Sequence, residues 1–232
     1  MRTMRFIVVP AVLLLGVLAW AGDKPWEKKP YRDWTERDVA EVLKDSPWAR
    51  LVQATGAWRP IGNQPELPIW QDPHVGTTQA DNAISPADSR VYTVLWASSR
   101  TVRAALARRS VLQGGAKEEA VEQGVSRSLD AYMILVKTAN MAIFEKRGEA
   151  AFAKAAYMQL KKGKRKFLPS HVTFFRGADG HSVTGAAFYF SKKEANISAD
   201  ESEVAFFLQV GEFKFLTSFD PRRMIDAQGQ DL

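Results

Sequence analysis

The first periodic stretch of apolar residues lies between Thr35 and Asp45. Thr35 is a favourable N-cap, and Asp38 occupies the acidic position of a capping box three residues later. Three apolar side chains recur at the spacing of one helix face: Val39, Val42 and Leu43. The pattern therefore predicts a helix that begins after Thr35 and ends at Asp45.

A second short helix is predicted directly after the first. Ser46 can act as its N-cap, with Pro47 at the first helical position, where the missing N–H of proline costs no hydrogen bond. Apolar residues then repeat the helical spacing at Trp48, Leu51 and Val52.

Three tryptophans border these two predicted helices: Trp26, Trp34 and Trp48. Trp34 precedes the N-cap, and its separation from Val39 is that of a hydrophobic staple. Because large aromatic side chains are usually buried, we interpret Trp34, Thr35, Val39 and Trp48 as structural residues. The alternative is that the tryptophans are exposed and stack on sugars.

The chain from residue 90 onward alternates strands and helices. Nearly continuous apolar runs at 91–97 and 130–138 predict two strands that are covered on both faces. Helical spacing and propensity predict three helices, at 101–109, 117–128 and 144–163.

The C-terminal part is predicted to consist of β-hairpins. Residues 171–191 contain the turn sequence Gly-Ala-Asp-Gly at 177–180, and residues 202–219 pivot near Gly211. Hairpins that follow strand–helix units indicate an α+β fold. We expect an antiparallel or mixed sheet of about five to six strands with helices packed on it, plus an N-terminal helical segment.

Four regions are predicted along the chain. Residues 1–21 are a signal peptide, and residues 22–55 form an N-terminal lead with the two short helices. Residues 56–89 are rich in Gly, Pro, Asn and Asp and lack a sustained period, which indicates a long irregular connection. Residues 90–232 form the α+β domain.

The first 21 residues have the three parts of a secretory signal. Arg2 and Arg5 precede an apolar run of residues 6–20, and Ala19 and Ala21 are the small residues of a cleavage site. We therefore expect cleavage after Ala21 and a periplasmic or secreted protein with no membrane span after cleavage. The alternative is an uncleaved N-terminal membrane anchor.

The amino-acid composition excludes several kinds of functional site but identifies none. The chain has no cysteine, which excludes disulfides, cysteine nucleophiles and thiolate metal sites. A net charge of +6 in an exported chain with 25% charged residues is only mildly basic, so no nucleic acid partner is expected. No cofactor and no metal are predicted.

Catalytic residues are not evident in the sequence. There are three histidines, and the common zinc, phosphate-loop and nucleophile-elbow motifs are absent. Asp179 with His181 and Ser170 with His171 are close in sequence, but turn and strand structure accounts for both pairs.

The strongest candidate for ligand binding is a basic segment. Five cationic residues occur within six positions: Lys161, Lys162, Lys164, Arg165 and Lys166. Such a cluster could bind an acidic polymer, phospholipid headgroups or another anion. The alternative interpretation is a solvated helix end and loop.

The stretch WTERDVAEVLKDSPWA at 34–49 and the closing FDPRRMIDAQGQDL at 219–232 resemble a group of exported bacterial proteins of unknown function. In these proteins a W-T-x-x-D-V…D-S-P-W-A stretch follows the signal peptide. The resemblance implies strand and helix units before a hairpin-rich C-terminal half, and it implies no activity, ligand or catalytic residue.

These observations predict a non-catalytic binding or envelope-associated module, with an anionic polymer or envelope component as its partner. The alternative is a hydrolase with a dispersed carboxylate and histidine site. A deep pocket with converging carboxylates would favour the enzyme, whereas an exposed apolar or aromatic patch would favour binding.

Overall fold

The computed structural model describes residues 24–54, 91–138 and 141–232. The predicted signal peptide at 1–21 and the predicted connection at 56–89 lie outside the described residues. No helix among the described residues is long and apolar enough to cross a membrane.

The described chain contains six α-helices: α1 Pro25–Lys28, α2 Glu36–Lys44, α3 Arg100–Leu112, α4 Glu118–Ser126, α5 Ala142–Glu145 and α6 Glu149–Ala155. Three short 3₁₀ turns lie at Tyr31–Asp33, Lys162–Lys164 and Pro221–Arg223. The strands are β1 Ala49–Gln53, β2 Val91–Trp96, β3 Ala131–Lys137, β4 Ala156–Leu160, β5 Lys166–Phe167, β6 His171–Arg176, β7 Val183–Ser191, β8 Val204–Val210, β9 Phe213–Phe219, β10 Ile225–Asp226 and β11 Gly229–Gln230.

The predicted α+β class is confirmed, and the strands are divided between two main sheets. A five-stranded sheet has the order β1-β2-β3-β7-β6, and a four-stranded sheet has the order β5-β4-β8-β9. All neighbouring strands in both sheets are antiparallel. The predicted hairpins β6–β7 and β8–β9 are both formed, because their Gly-containing turns are local.

Aromatic side chains fill the space between the two sheets. Trp96 of β2 contacts Phe219 of β9 edge to face, with ring centroids 5.3 Å apart. Phe188 of β7 contacts Phe206 of β8 in the same way at 5.2 Å. Buried and more exposed residues alternate along β4 and β8, so one face of the four-stranded sheet packs on the core and the other faces outward.

One side of this sandwich is closed by an arginine. Arg50 of β1 donates from Nε to the carbonyl of Ser218 in β9 at 2.9 Å, and its guanidinium lies 5.2 Å from the ring centroid of Phe219. A side-chain hydrogen bond therefore links the edge strands β1 and β9 of the two sheets.

The opposite side is filled by α5 and α6. Phe144 and Phe152 stack with centroids 4.4 Å apart, and both contact Phe174 of β6. The Glu149 carboxylate accepts a hydrogen bond from the Phe174 N–H at 2.8 Å. The short helices thus cover the core, and they also provide an acceptor for one main-chain N–H of the edge strand β6.

The N-terminal helical segment and the C-terminal residues meet at the start of α3. Trp48 donates from Nε1 to the Asp231 carbonyl at 2.7 Å. The Asp231 carboxylate accepts the main-chain N–H groups of Arg100 and Thr101 at 2.6 and 2.8 Å. A carboxylate at this position satisfies free N–H groups of the helix and complements its dipole.

The second helix predicted from Ser46 is wrong, since residues 49–53 form β1 and pair with β2. The Ser46 hydroxyl donates to the Val42 carbonyl of α2 at 2.6 Å and accepts the Trp48 N–H at 3.3 Å. Ser46 therefore ends one helix instead of starting another, and the residues that follow pair with the edge of β2.

The long helix predicted at 144–163 is also wrong. It is divided into α5 and α6, and β4 begins at Ala156. Residues 156, 158 and 160 are buried and pair within the four-stranded sheet, so tertiary pairing prevails over helix propensity. Gly163 has a φ of 70° and lies in the β4–β5 turn.

Candidate ligand-binding face on the four-stranded sheet

An apolar row crosses the outer face of the four-stranded sheet. Tyr157 of β4 lies opposite Phe207 of β8, which lies opposite Leu216 of β9. The rings of Tyr157 and Phe207 stack with centroids 4.8 Å apart and an interplanar angle of 30°. Both rings are half-buried, and they contact each other outside the hydrophobic core.

Leucines stand at both ends of this row. Leu168 directly follows β5, and it and Lys166 are exposed on either side of the buried Phe167. Leu168 is 63% exposed and Leu216 is 61% exposed, which makes them the two most exposed large hydrophobic residues in the described chain. We call Leu168, Tyr157, Phe207 and Leu216 the outer row.

Mostly polar side chains border the outer row. On one side, Gln159 and Ser218 lie on either side of the small Ala205 across three strands. On the other side, Gln209 lies opposite Lys214. The outer face is therefore an apolar strip within a polar surface, and such patches are typical of contact surfaces.

The predicted basic segment forms the turn between β4 and β5, and all five cationic residues are exposed: Lys161, Lys162, Lys164, Arg165 and Lys166. The Leu160 N–H bonds to the Arg165 carbonyl at 3.1 Å, which closes the turn. Gly163 and Lys164 both have positive φ, at 70° and 50°. After this reversal the segment returns along β4, where Lys166 contacts Tyr157 of the outer row. We call this turn the basic turn.

Two lysines of the basic turn lie against acidic neighbours. Lys161 lies 3.5 Å from the Glu203 carboxylate. Lys162 pairs with Asp200, and hydrogen bonds from Lys162 and Ser198 lower the pKa of Asp200 to about 2. Both pairs are solvent-exposed, so they add little to stability.

The other end of the basic turn contacts aromatic rings. Lys166 places Nζ 4.3 Å from the ring centroid of Tyr157, and Arg165 lies 5.0 Å from the ring centroid of Phe167. The Lys166 contact joins the basic turn directly to the outer row, so one continuous surface presents both apolar groups and positive charge.

Sequence reasoning identified the basic turn but missed the outer row. Residues 156–160 were predicted as helix, and a helix would not have aligned Tyr157 with Phe207. The available signal was the period-two alternation of Ala156, Met158 and Leu160 with the residues between them, which is typical of a half-buried strand.

The four residues predicted to be structural are placed in or beside the core. Trp34 and Val39 are each 3% exposed, and Trp48 is fully buried. Thr35 caps α2, and both hydrogen bonds of its capping box with Asp38 are formed. Trp26 is also buried, with its ring edge-to-face on Trp48, so none of these three tryptophans presents a ring to a sugar.

A shallow cavity of about 280 Å³ lies beside α5 and α6. The hydrolase alternative would need its catalytic carboxylates to converge in such a cavity. Glu145 and Glu149 line it, but Oε1 of each already accepts a main-chain N–H, from Val183 and Phe174. None of its lining residues is a histidine.

The two histidine pairs noted in the sequence have local structural roles. Asp179 accepts hydrogen bonds from Ser182 and from the N–H of His181, and these bonds lower its pKa to about 2. His171 stacks on Tyr189 at 4.2 Å with Ser170 beside it. Across the described ranges, no group of three or more acidic or histidine side chains is arranged to hold a metal.

No family model, curated protein or solved structure matches this chain.

Proposed function

We propose that this protein is a non-catalytic, envelope-associated binding module that holds an anionic partner on the outer face of its four-stranded sheet. The observation that carries the proposal is the contact of Lys166 with Tyr157. It connects the exposed basic turn with the apolar outer row, and the two features together suit a partner that has both negative charge and apolar surface.

The cavity beside α5 supports this proposal over the hydrolase. Its two carboxylates accept main-chain N–H groups from the middle of β6 and from the start of β7, which is a structural use. A hydrolase would need an acid and a base free to reach a substrate.

Export is part of the proposal, since the sequence of residues 1–21 has the form of a signal peptide. N-terminal sequencing of the exported protein should begin at Gly22. Recovery of Met1 on a membrane-bound form would support the anchor instead.

The binding test compares two variants that each lose five positive charges. The first carries Lys→Gln or Arg→Gln at the basic turn: Lys161, Lys162, Lys164, Arg165 and Lys166. The matched control carries the same changes at exposed positions on other elements: Lys24, Lys117, Arg127, Arg147 and Lys154.

The readouts are binding to a soluble polyuronate and to anionic vesicles, at low and at physiological salt. We expect wild-type binding to weaken with salt. The basic-turn variant should lose at least about tenfold in affinity, and the control should lose less than about threefold, since juxtaposed lysines each add to binding at an anionic surface. Equal losses in the two variants, or no wild-type binding to either probe, would refute the proposed function.

A further inference from the structure

We propose that the anionic partner is a lipid surface, and that the outer row enters the boundary between headgroups and acyl chains. This inference rests on the proposed function and adds the chemistry of its ligand. It follows from the identity and geometry of the side chains in the row.

The two aromatic rings of the outer row already contact each other, and the Tyr157 ring also contacts a lysine. Tyr157 and Phe207 stack on each other, and the Lys166 ammonium lies against the Tyr157 ring. Sugars and nucleobases bind aromatic residues by stacking on an open ring face. The geometry therefore disfavours a glycan that is recognised by stacking, while ring edges and exposed apolar groups remain available to a lipid phase.

The ends of the row are leucines, which cannot hydrogen-bond a polar ligand. Leu168 directly follows the outermost strand β5, Leu216 lies on the other outermost strand β9, and each is more than three-fifths exposed. Transfer of an apolar side chain from water into hydrocarbon lowers the free energy and requires no particular orientation. Two leucines separated by the width of the sheet suit a flat partner that is bound through apolar contacts without fixed direction.

Cationic groups flank the row at both ends. Lys166 precedes Leu168 by two residues at the end of the basic turn, and Lys214 lies on β9 two residues before Leu216. Lysines next to apolar side chains can keep their ammonium groups at the level of lipid phosphates while the apolar groups go deeper. This arrangement matches a bilayer with anionic headgroups.

The first experiment measures sedimentation with vesicles of phosphatidylcholine alone and of phosphatidylcholine with about 30% phosphatidylglycerol. We expect wild-type protein to bind only the anionic vesicles. The double variant Leu168→Ser, Leu216→Ser should lose at least about tenfold in vesicle affinity, because two side chains no longer enter the apolar phase. Its binding to the polyuronate should change by less than about twofold.

A matched control carries Leu51→Ser and Ile225→Ser, which removes two other exposed apolar side chains, 55% and 46% exposed. This control should bind anionic vesicles like the wild type. A second measurement uses Tyr157→Cys carrying an environment-sensitive fluorophore, since the chain has no other cysteine. Its emission should shift to the blue on anionic vesicles and should be quenched by lipids brominated in their acyl chains, and an unchanged emission would overturn the lipid surface.

The outcomes separate the two proposals. Binding to the polyuronate without binding to vesicles would preserve the proposed function and overturn the lipid surface. Absence of binding to both probes would overturn both. Unchanged vesicle affinity of the leucine variant would also overturn the lipid surface. If the same variant lowered the mass of the protein in solution, the outer row would instead be a contact between copies of this chain.

Discussion

Two regions of this molecule combine aromatic rings with positive charge and use them in opposite ways. In the cluster where the chain ends meet, Trp48 is fully buried and donates to the Asp231 carbonyl, and Trp34 is buried and donates to the Lys29 carbonyl at 3.1 Å. In the outer row, Tyr157 and Phe207 are half-buried and stack on each other. The aromatic rings of the first region are enclosed by the fold, whereas those of the second lie at the surface.

The cations differ in the same way. In the first region, Arg100 binds Asp226 through two guanidinium nitrogens, at 2.7 to 3.0 Å, and Arg108 donates to the Trp34 carbonyl at 2.9 Å. Beside the outer row, four of the five cations of the basic turn are lysines. Arginine forms fixed, forked hydrogen bonds, while lysine is a mobile point charge. The comparison teaches that the arginines of the first region are fixed by forked and main-chain hydrogen bonds inside the fold, whereas the cations of the basic turn are solvent-exposed.

The largest expected effect that tests this contrast is on stability. Trp34→Ala should lower the free energy of unfolding by about 3–5 kcal/mol, because it removes a buried aromatic side chain. Phe207→Ala should cost no more than about 1 kcal/mol, the usual contribution of a cross-strand pair. Denaturant unfolding of both variants measures the difference.

Thr35→Ala is the internal control for this comparison. It should cost about 1 kcal/mol, the contribution of one N-cap. A cost for Trp34→Ala below that of Thr35→Ala would show that Trp34 is not a packing residue.

The next largest effect is expected at the junction of the chain ends. Asp231→Ala should destabilise the protein by about 1.5–3 kcal/mol, since it leaves the N–H groups of Arg100 and Thr101 without their charged acceptor. Thermal or denaturant unfolding checks this value. Asp231→Asn retains one acceptor oxygen, so its stability should lie between those of the alanine variant and the wild type. An asparagine variant less stable than the alanine variant would contradict the capping role.

A smaller, pH-dependent effect is expected from the capping box. Burial alone would raise the pKa of Asp38, but hydrogen bonds from the Thr35 main chain and hydroxyl and from Lys29 outweigh it, so this pKa is lowered. A carboxyl whose pKa is lower in the folded state stabilises the fold above its unfolded pKa of about 3.9, and that stability is lost as the pH falls through the folded value.

The stability difference between wild type and Asp38→Asn should therefore be constant above about pH 5 and should shrink below about pH 4. Unfolding measured in urea at pH 6 and pH 3 tests the expectation. A difference that grows on acidification would show that the sign is wrong.

The smallest effect is expected from the basic turn. The five-residue variant with glutamine at 161, 162, 164, 165 and 166 should shift the thermal midpoint by less than about 2–4 °C, because exposed ion pairs contribute at most about 1 kcal/mol. Calorimetry of this variant and of its five-charge control measures the shift. A large loss confined to the basic-turn variant would mean that these lysines hold the fold.

Part of this architecture follows from local sequence. The capping box of Thr35 and Asp38 needs only four consecutive residues, and its hydrogen bonds are those expected of the pattern. The hairpins β6–β7 and β8–β9 follow from short turns between apolar runs. The basic turn is visible because its five charges are adjacent in sequence.

Other parts were decided by the tertiary structure. Residues 49–53 and 156–160 have helical patterns or helix-rich surroundings, yet each became a strand because a sheet edge was available to satisfy its main-chain groups. The outer row exists only through the pairing of β4, β8 and β9, which no local window contains. Trp48 and Asp231 stand 183 positions apart, and their hydrogen bond forms because folding brings both to the start of α3. Local chemistry determines caps and turns, whereas contacts between distant residues depend on the packing of the whole chain, since only packing compensates for the entropy of closing such long loops.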